Sequence, residues 1–212
     1  MGQAFDLSSA RGRRALIISM CRRRQRPGAG SDLRALMRRR PTVTWPDLRD
    51  LLGQIPWAVA GAVATRLYMP ERATLDLDIL VCQNDLPAAE KALAVAGWER
   101  TGELAIGGSA WTPTTGPPLD VIACGEPWCQ DALREASSNR DAQDLPVLPL
   151  PYLIVLKMRA SRTTDVGDVA RMLGLADEAT LARVRAAFER YAPEDLDDLD
   201  ALTELGKLET QG

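Results

Sequence analysis

The chain of 212 residues contains no histidine. That excludes every mechanism built on imidazole as base, proton shuttle or metal ligand, and leaves acid–base work to carboxylates, Lys, Tyr or bound water. The four cysteines, Cys21, Cys82, Cys124 and Cys129, include no C-x-x-C pair. Without histidine to complete a ligand set, that spacing argues against a zinc site. Long apolar runs are also missing. The longest, residues 57–64 with Gly61 inside it, falls well short of the ~20 residues that span a bilayer. The arginines around Arg13 followed by residues 15–18 have the order of a signal peptide. The apolar part is too short, however, and Arg22, Arg23 and Arg24 stand where small residues would mark a cleavage site. The expectation is a cytoplasmic protein with no membrane segment.

What is present is ordinary for a soluble globular chain, 46% apolar and 26% charged. The length suits one domain and an appendage. The net charge of −3 conceals an asymmetry, because residues 1–40 carry 11 arginines against Asp6 and Asp32, leaving 15 basic against 27 acidic residues in the rest. A basic arm on an acidic body suits nucleic-acid binding, or it is simply a flexible tail. The acidic body itself is a poor phosphate-binding surface. Residues 1–44 are therefore read as an Arg-rich, flexible N-terminal arm with a short basic helix over 32–40, and residues 45–212 as the globular domain.

Periodicity and turn residues predict the elements of that domain. A helix starts near Thr44-Trp45-Pro46-Asp47, with Leu48, Leu51 and Leu52 on one face. A strand over 57–60, a helix over 61–68 and a strand over 75–82 follow. Asp85 can cap a helix running to Ala96 and stopped by Gly97, and hairpin strands over 98–105 and 109–112 flank Gly107-Gly108. Then come a strand over 119–123, a helix over 127–136 and a strand over 145–148. The remainder is helical: 151–160, 165–173, 178–191 and 193–208. The fold class is α+β, a mixed sheet flanked by helices with a helical C-terminal part from about residue 150.

One stretch carries chemistry, "GAVATRLYMPERATLDLDILV" at 61–81. Residues i and i+2 of a strand share a face, so Asp76 and Asp78 project side by side while Leu75, Leu77 and Ile79 face or flank the core. Adjacent carboxylates repel, and a divalent cation offsets that cost; Mg²⁺ is held this way, by one or two carboxylates plus substrate phosphates. Asp120 opens the later strand in "PPLDVIACG". If that strand pairs beside residues 75–82, three carboxylates converge. Upstream, Gly61-Ala62 occupies a strand-to-helix turn where small residues let backbone amides approach a phosphate. Lys157 shares a helical face with Leu153, Leu156 and Ala160, so it either snorkels or points into a site. Asp165 and Asp168 suit a helix start, or hold Arg162 or Lys157 in place.

The small-residue turn, the 14- to 15-residue gap, the D-x-D strand and the distant third Asp together resemble the nucleotidyltransferase superfamily with the DNA polymerase β-like fold. The closer likeness is to minimal bacterial nucleotidyltransferases, including the abortive-infection (AbiEii-type) toxin group. It rests on Gly61-Ala62-Val63-Ala64, on Arg72-Ala73-Thr74-Leu75-Asp76-Leu77-Asp78, and on "YLIVLKMRASRTTDVGDVARML", and covers residues 45–175. The resemblance implies two Mg²⁺ ions on Asp76, Asp78 and Asp120, with Asp120 also activating an attacking hydroxyl. It implies nucleotide contacts from Gly61, Ala62, Arg72, Thr74 and Lys157; for Arg72 a structural ion pair is the equal alternative. The activity implied is transfer of NMP from an NTP to a hydroxyl on RNA (tRNA), protein or a small molecule. The toxin reading adds an antitoxin partner. One position departs from the pattern, because Ala62 stands where Ser or Gly is usual. That departure favours the alternative of a catalytically inactive binding or regulatory module on the same fold.

Overall fold

The computed structural model describes residues 5–24, 44–70 and 73–210. Two compact units make up the chain. In one, residues 44–67 and 73–149 build a five-stranded mixed sheet with helices. In the other, residues 5–24 and the C-terminal helices make a unit whose described elements are helical and that also takes in Tyr68–Pro70. The fold class is the α+β arrangement that the sequence predicts, with its helical C-terminal part.

The sheet strands are β1 (Trp57–Val59), β2 (Leu77–Cys82), β3 (Glu99–Glu103), β4 (Gly108–Thr112) and β5 (Leu119–Cys124), in the order β1-β2-β5-β4-β3. Among these strands only β2 and β5 pair in parallel, and the chain between them holds the helix Leu86–Val95 followed by the β3–β4 hairpin. Leu77, Ile79, Leu80 and Val81 of β2 and Leu119, Val121 and Ile122 of β5 are all buried. Such near-continuous apolar runs mark strands covered on both faces. The edges differ. β1 has three residues, and β3 reads Glu-Arg-Thr-Gly-Glu and is largely exposed, a charged edge that discourages further pairing.

The helices in this unit are α2 (Arg49–Leu52), α3 (Gly61–Ala64), α4 (Leu86–Val95) and α5 (Cys129–Ala136). Each is shorter than the sequence suggests. α2 begins only after Asp47, whose carboxylate accepts the Arg49 amide at 3.0 Å. α3 tightens after one turn into a 3-10 segment, Thr65–Leu67, where the Thr65 hydroxyl donates to the Ala62 carbonyl at 2.7 Å. Asp85 lies inside a 3-10 turn and its side chain caps nothing.

Residues 145–148 do not form the expected strand. They contribute only isolated bridges, Val147 to Val59 and Pro146 to Arg140. Asp141 explains this, since its carboxylate accepts the amides of Gln143 at 2.8 Å and Leu145 at 3.1 Å and also pairs with Arg66. The chain is thereby curled, and Pro146 and Pro149 have no amides to extend a ladder.

The helical unit contains α1 (Ala10–Arg24), α6 (Leu150–Ala160), α7 (Thr163–Leu175), α8 (Glu178–Tyr191) and α9 (Leu196–Thr210). α1 lies within the stretch expected to be a flexible arm. Its Arg14 side chain is buried, reaching Asp195, Asp198 at 2.8 Å, the Met158 carbonyl at 2.6 Å and the Ser161 hydroxyl at 2.9 Å. Ile18 is buried one turn further on. Partners more than 140 residues away fix this helix, which local sequence cannot reveal. α7 and α9 meet at glycines, where a β-carbon on Gly174 would lie 2.3 Å from the Gly206 backbone. The short basic helix expected over 32–40 lies outside the described residues.

Candidate functional site

The parallel pairing of β2 with β5 sets Asp78 directly opposite Asp120. Side chains at matched positions of neighbouring strands share a face, so the two carboxylates project together. Asp76 lies one residue before β2, on the bend that feeds it. Ligand oxygens of Asp76, Asp78 and Asp120 all lie within 4.8 Å of one another, and all three residues are half-buried. The convergence that the sequence made conditional on strand pairing is present. Leu75 differs from its expectation. It is 87% exposed, because the strand starts at Leu77 and the preceding turn faces solvent.

Thr74 belongs to the same cluster. Its hydroxyl donates to Asp76 Oδ1 at 2.5 Å, fixing the orientation of a carboxylate that has no strand ladder around it. Arg72 lies outside the described residues.

Gly61 opens α3 on the far side of Asp78. Its φ is +58°, and a β-carbon there would lie 1.8 Å from Asp78 Oδ2. Only glycine can hold this position, for conformation and for space. The Ala60 amide donates to the Asp78 carbonyl at 2.8 Å, which locks the turn to β2. Among the described residues, positive φ at non-glycine positions occurs only at Asp144 and Ser161. Ala62 thus carries no backbone penalty for being alanine. What it lacks is the side-chain hydroxyl of Ser.

Lys157 belongs to the helical unit. Its ammonium donates to Asp165 at 3.1 Å and to Asp168 at 2.8 Å, and all three side chains are almost wholly buried. Asp165 also accepts the Arg162 amide at 3.2 Å and its guanidinium at 2.8 Å, closing a capping box at the start of α7. Burial pushes the Asp165 carboxyl up, but the Arg162 bond and the Lys157 charge outweigh it and hold the group below its ordinary range. The apolar face that singled out Lys157 is real, and two buried aspartates explain the charge on it.

Three carboxylates within 4.8 Å form an all-oxygen donor set. At such separations each like-charge pair costs on the order of 3 kcal/mol even at an effective dielectric of ~20. Hard divalent cations of the Mg²⁺ or Mn²⁺ kind match this donor chemistry and relieve that repulsion. The half-buried setting leaves room for solvent or substrate oxygens to complete a shell. The residues present therefore fit a divalent metal.

No protein-family model matches the chain, and a comparison with curated proteins gives no match. Among solved structures, the chain is similar to the antibiotic-resistance factor ANT(2'')-Ia in solution, with a TM-score of 0.41, 15% identity, and coverage of 72% of this chain and 82% of that one. A crystal structure of ANT(2'')-Ia in complex with adenylyl-2''-tobramycin gives a TM-score of 0.42 at 17% identity, covering 71% and 87%. The Cid1 poly(U) polymerase gives 0.33 at 12% identity, covering 79% of this chain and 56% of that one. These are remote likenesses.

Sequence reasoning missed two features of the site's surroundings. Arg66, just past α3, pairs with buried Asp141 and fastens the turn that bears Gly61. Cys82 and Cys124, the last residues of β2 and β5, are register partners beside Cys129 of α5. The available signal was that each ends an apolar strand, in "DILVC" and "DVIAC".

Proposed function

We propose that the chain is a Mg²⁺-dependent nucleotidyltransferase that moves NMP from an NTP to a hydroxyl acceptor. The observation that carries this reading is the register of Asp78 with Asp120, which together with Asp76 makes the 4.8 Å carboxylate cluster against the Gly61 turn. Asp76, Asp78 and Asp120 would hold the metal, two ions in the full reading, and it would supply charge neutralisation to the triphosphate and to the oxygens gaining charge. The backbone at Gly61 and Ala62 receives phosphate oxygens. Thr74 keeps Asp76 in place.

In the reaction, the acceptor oxygen forms a bond to the α-phosphorus as the bond from that phosphorus to the pyrophosphate oxygen breaks. Asp120 takes the acceptor's hydroxyl proton, and pyrophosphate leaves with the bonding electron pair. No histidine is required, in keeping with the composition. Arg72 and Lys157 complete the proposed nucleotide contacts. For Lys157 such a contact would share an ammonium already bonded to Asp165 and Asp168.

The acceptor classes are RNA such as tRNA, a protein hydroxyl, or a small molecule, and the AbiEii-type toxin role with its antitoxin partner belongs to the same proposal. A second reading is a nucleotide-binding module without turnover, favoured by Ala62, which brings no hydroxyl to the phosphate turn. Pyrophosphate release separates the two. The transferase reading expects Mg²⁺-dependent release from at least one NTP on addition of cellular RNA, protein extract or aminoglycosides, lost in Asp120→Asn. Tight NTP binding with no pyrophosphate released in the presence of any acceptor would leave the binding module standing instead.

A further inference from the structure

Three of the four cysteines gather in the sheet-bearing unit, at the opposite ends of β2 and β5 from the carboxylates. Cys82 and Cys124 are register partners that close their strands, and Cys129 is the first residue of α5. The sulfurs of Cys82 and Cys129 are 2.6 Å apart, and Cys129 also shares a hydrogen bond with Cys124. A disulfide bond is about 2.0 Å long, so the Cys82 and Cys129 sulfurs stand close to bonding distance while remaining thiols. Exposure separates the pair. Cys82 is partly open to solvent, and Cys129 is buried at 3%.

Buried thiols usually serve as small apolar side chains. That role does not account for a partly exposed thiol held against a second sulfur, with a third in hydrogen-bond contact. The geometry points to Cys82 and Cys129 as a modification site, a thiol pair that a peroxide converts to a reversible disulfide joining the end of β2 to α5.

The chemistry balances with hydrogen peroxide as oxidant. The Cys82 sulfur attacks one peroxide oxygen, the O–O bond breaks, and a sulfenic acid and one water form. The Cys129 sulfur then attacks the Cys82 sulfur, the S–O bond breaks, and the departing hydroxide leaves as water with the Cys129 proton. Each sulfur gives up one electron, and the peroxide receives both. Burial pushes the Cys82 thiol up, against its bond to Cys129, and the Cys129 thiol is pushed up by its bond to Cys124 and then by burial. Both groups rest as thiols, so the pair stays reduced until an oxidant reaches Cys82. No step depends on the carboxylate cluster, and the inference stands apart from the transferase reading.

The test uses the full-length reduced protein treated with a small excess of hydrogen peroxide, alkylated with iodoacetamide, and mapped by mass spectrometry without reduction. The expected product links the Cys82 peptide to the Cys129 peptide, two hydrogens lighter than the separate pair, and disappears with dithiothreitol. Cys124→Ser should retain the link. Three results would overturn the inference: both cysteines alkylated separately, separate sulfinic acids without a link, or Cys124 replacing either partner in the cross-link. The wild-type map decides the matter even if the variant fails to fold.

Discussion

Gly61 and Asp78 fit against each other with no room between them: a β-carbon at residue 61 would lie 1.8 Å from the Asp78 carboxylate oxygen. The backbone turn and the carboxylate are one unit. Gly61→Ala must move Asp78, and it also places alanine at a φ of +58°, which costs roughly 1–2 kcal/mol by itself. The expected outcome is a folded but destabilised protein whose Mg²⁺-dependent NTP affinity falls at least tenfold, read by titration calorimetry beside a thermal melt.

Removing one charge from the cluster should have opposite effects with and without metal. In EDTA, Asp120→Asn relieves like-charge repulsion and should raise the melting temperature. With millimolar Mg²⁺ the wild type should gain stability through linkage, and the variant should gain much less. Thermal melts of both proteins, with and without Mg²⁺, read the two signs directly.

How far the sequence exposes this site depends on where each contact originates. Asp76, Asp78 and Asp120 are legible because alternation within a strand is local, and one added condition, pairing of two apolar strands, brings them together. Leu75 is misread for the same reason: alternation does not say where a strand begins, and the turn before Leu77 faces solvent. The N-terminal helix is not legible at all. Its Arg14 and Ile18 are buried, and Arg14 meets Met158, Asp195 and Asp198 far along the chain. An arginine-rich segment shows no such destination by itself. Lys157 falls between these cases. Helical spacing placed it on a buried face and left Asp165 and Asp168 either as helix-start residues or as its holders; the fold shows both bonded to it.

Lys157→Met should therefore act on stability. It leaves the buried Asp165 and Asp168 without the ammonium they share, and breaking a buried pair typically costs 3–5 kcal/mol. The folded Asp165 carboxyl titrates below its ordinary value of 3.8. Its contribution is hence full above the unfolded value and is lost as pH falls through the lower folded one. Urea unfolding of wild type should show this contribution held from pH 7 toward about pH 4 and declining below it, and the deficit of Lys157→Met should shrink as Asp165 becomes protonated.

Arg14→Ala removes the clasp on α1. Asp195, whose carboxyl burial already pushes up, and Asp198 then lose their buried cation. A loss of about 3 kcal/mol is expected. Limited proteolysis should now cut within residues 10–24, which the wild type protects; equal protection in the variant would show that Arg14 does not hold the helix.

The central claim is that Asp76, Asp78 and Asp120 form a metal site for a nucleoside triphosphate. Its most direct test is calorimetric titration of ATP, GTP, CTP and UTP into wild type and Asp78→Asn, each with Mg²⁺ and with EDTA. The prediction is saturable binding of at least one NTP by wild type that needs Mg²⁺ and is abolished by Asp78→Asn. Binding of equal strength in EDTA, or retained by a folded Asp78→Asn protein, would contradict it, as would no binding of any NTP in the presence of Mg²⁺.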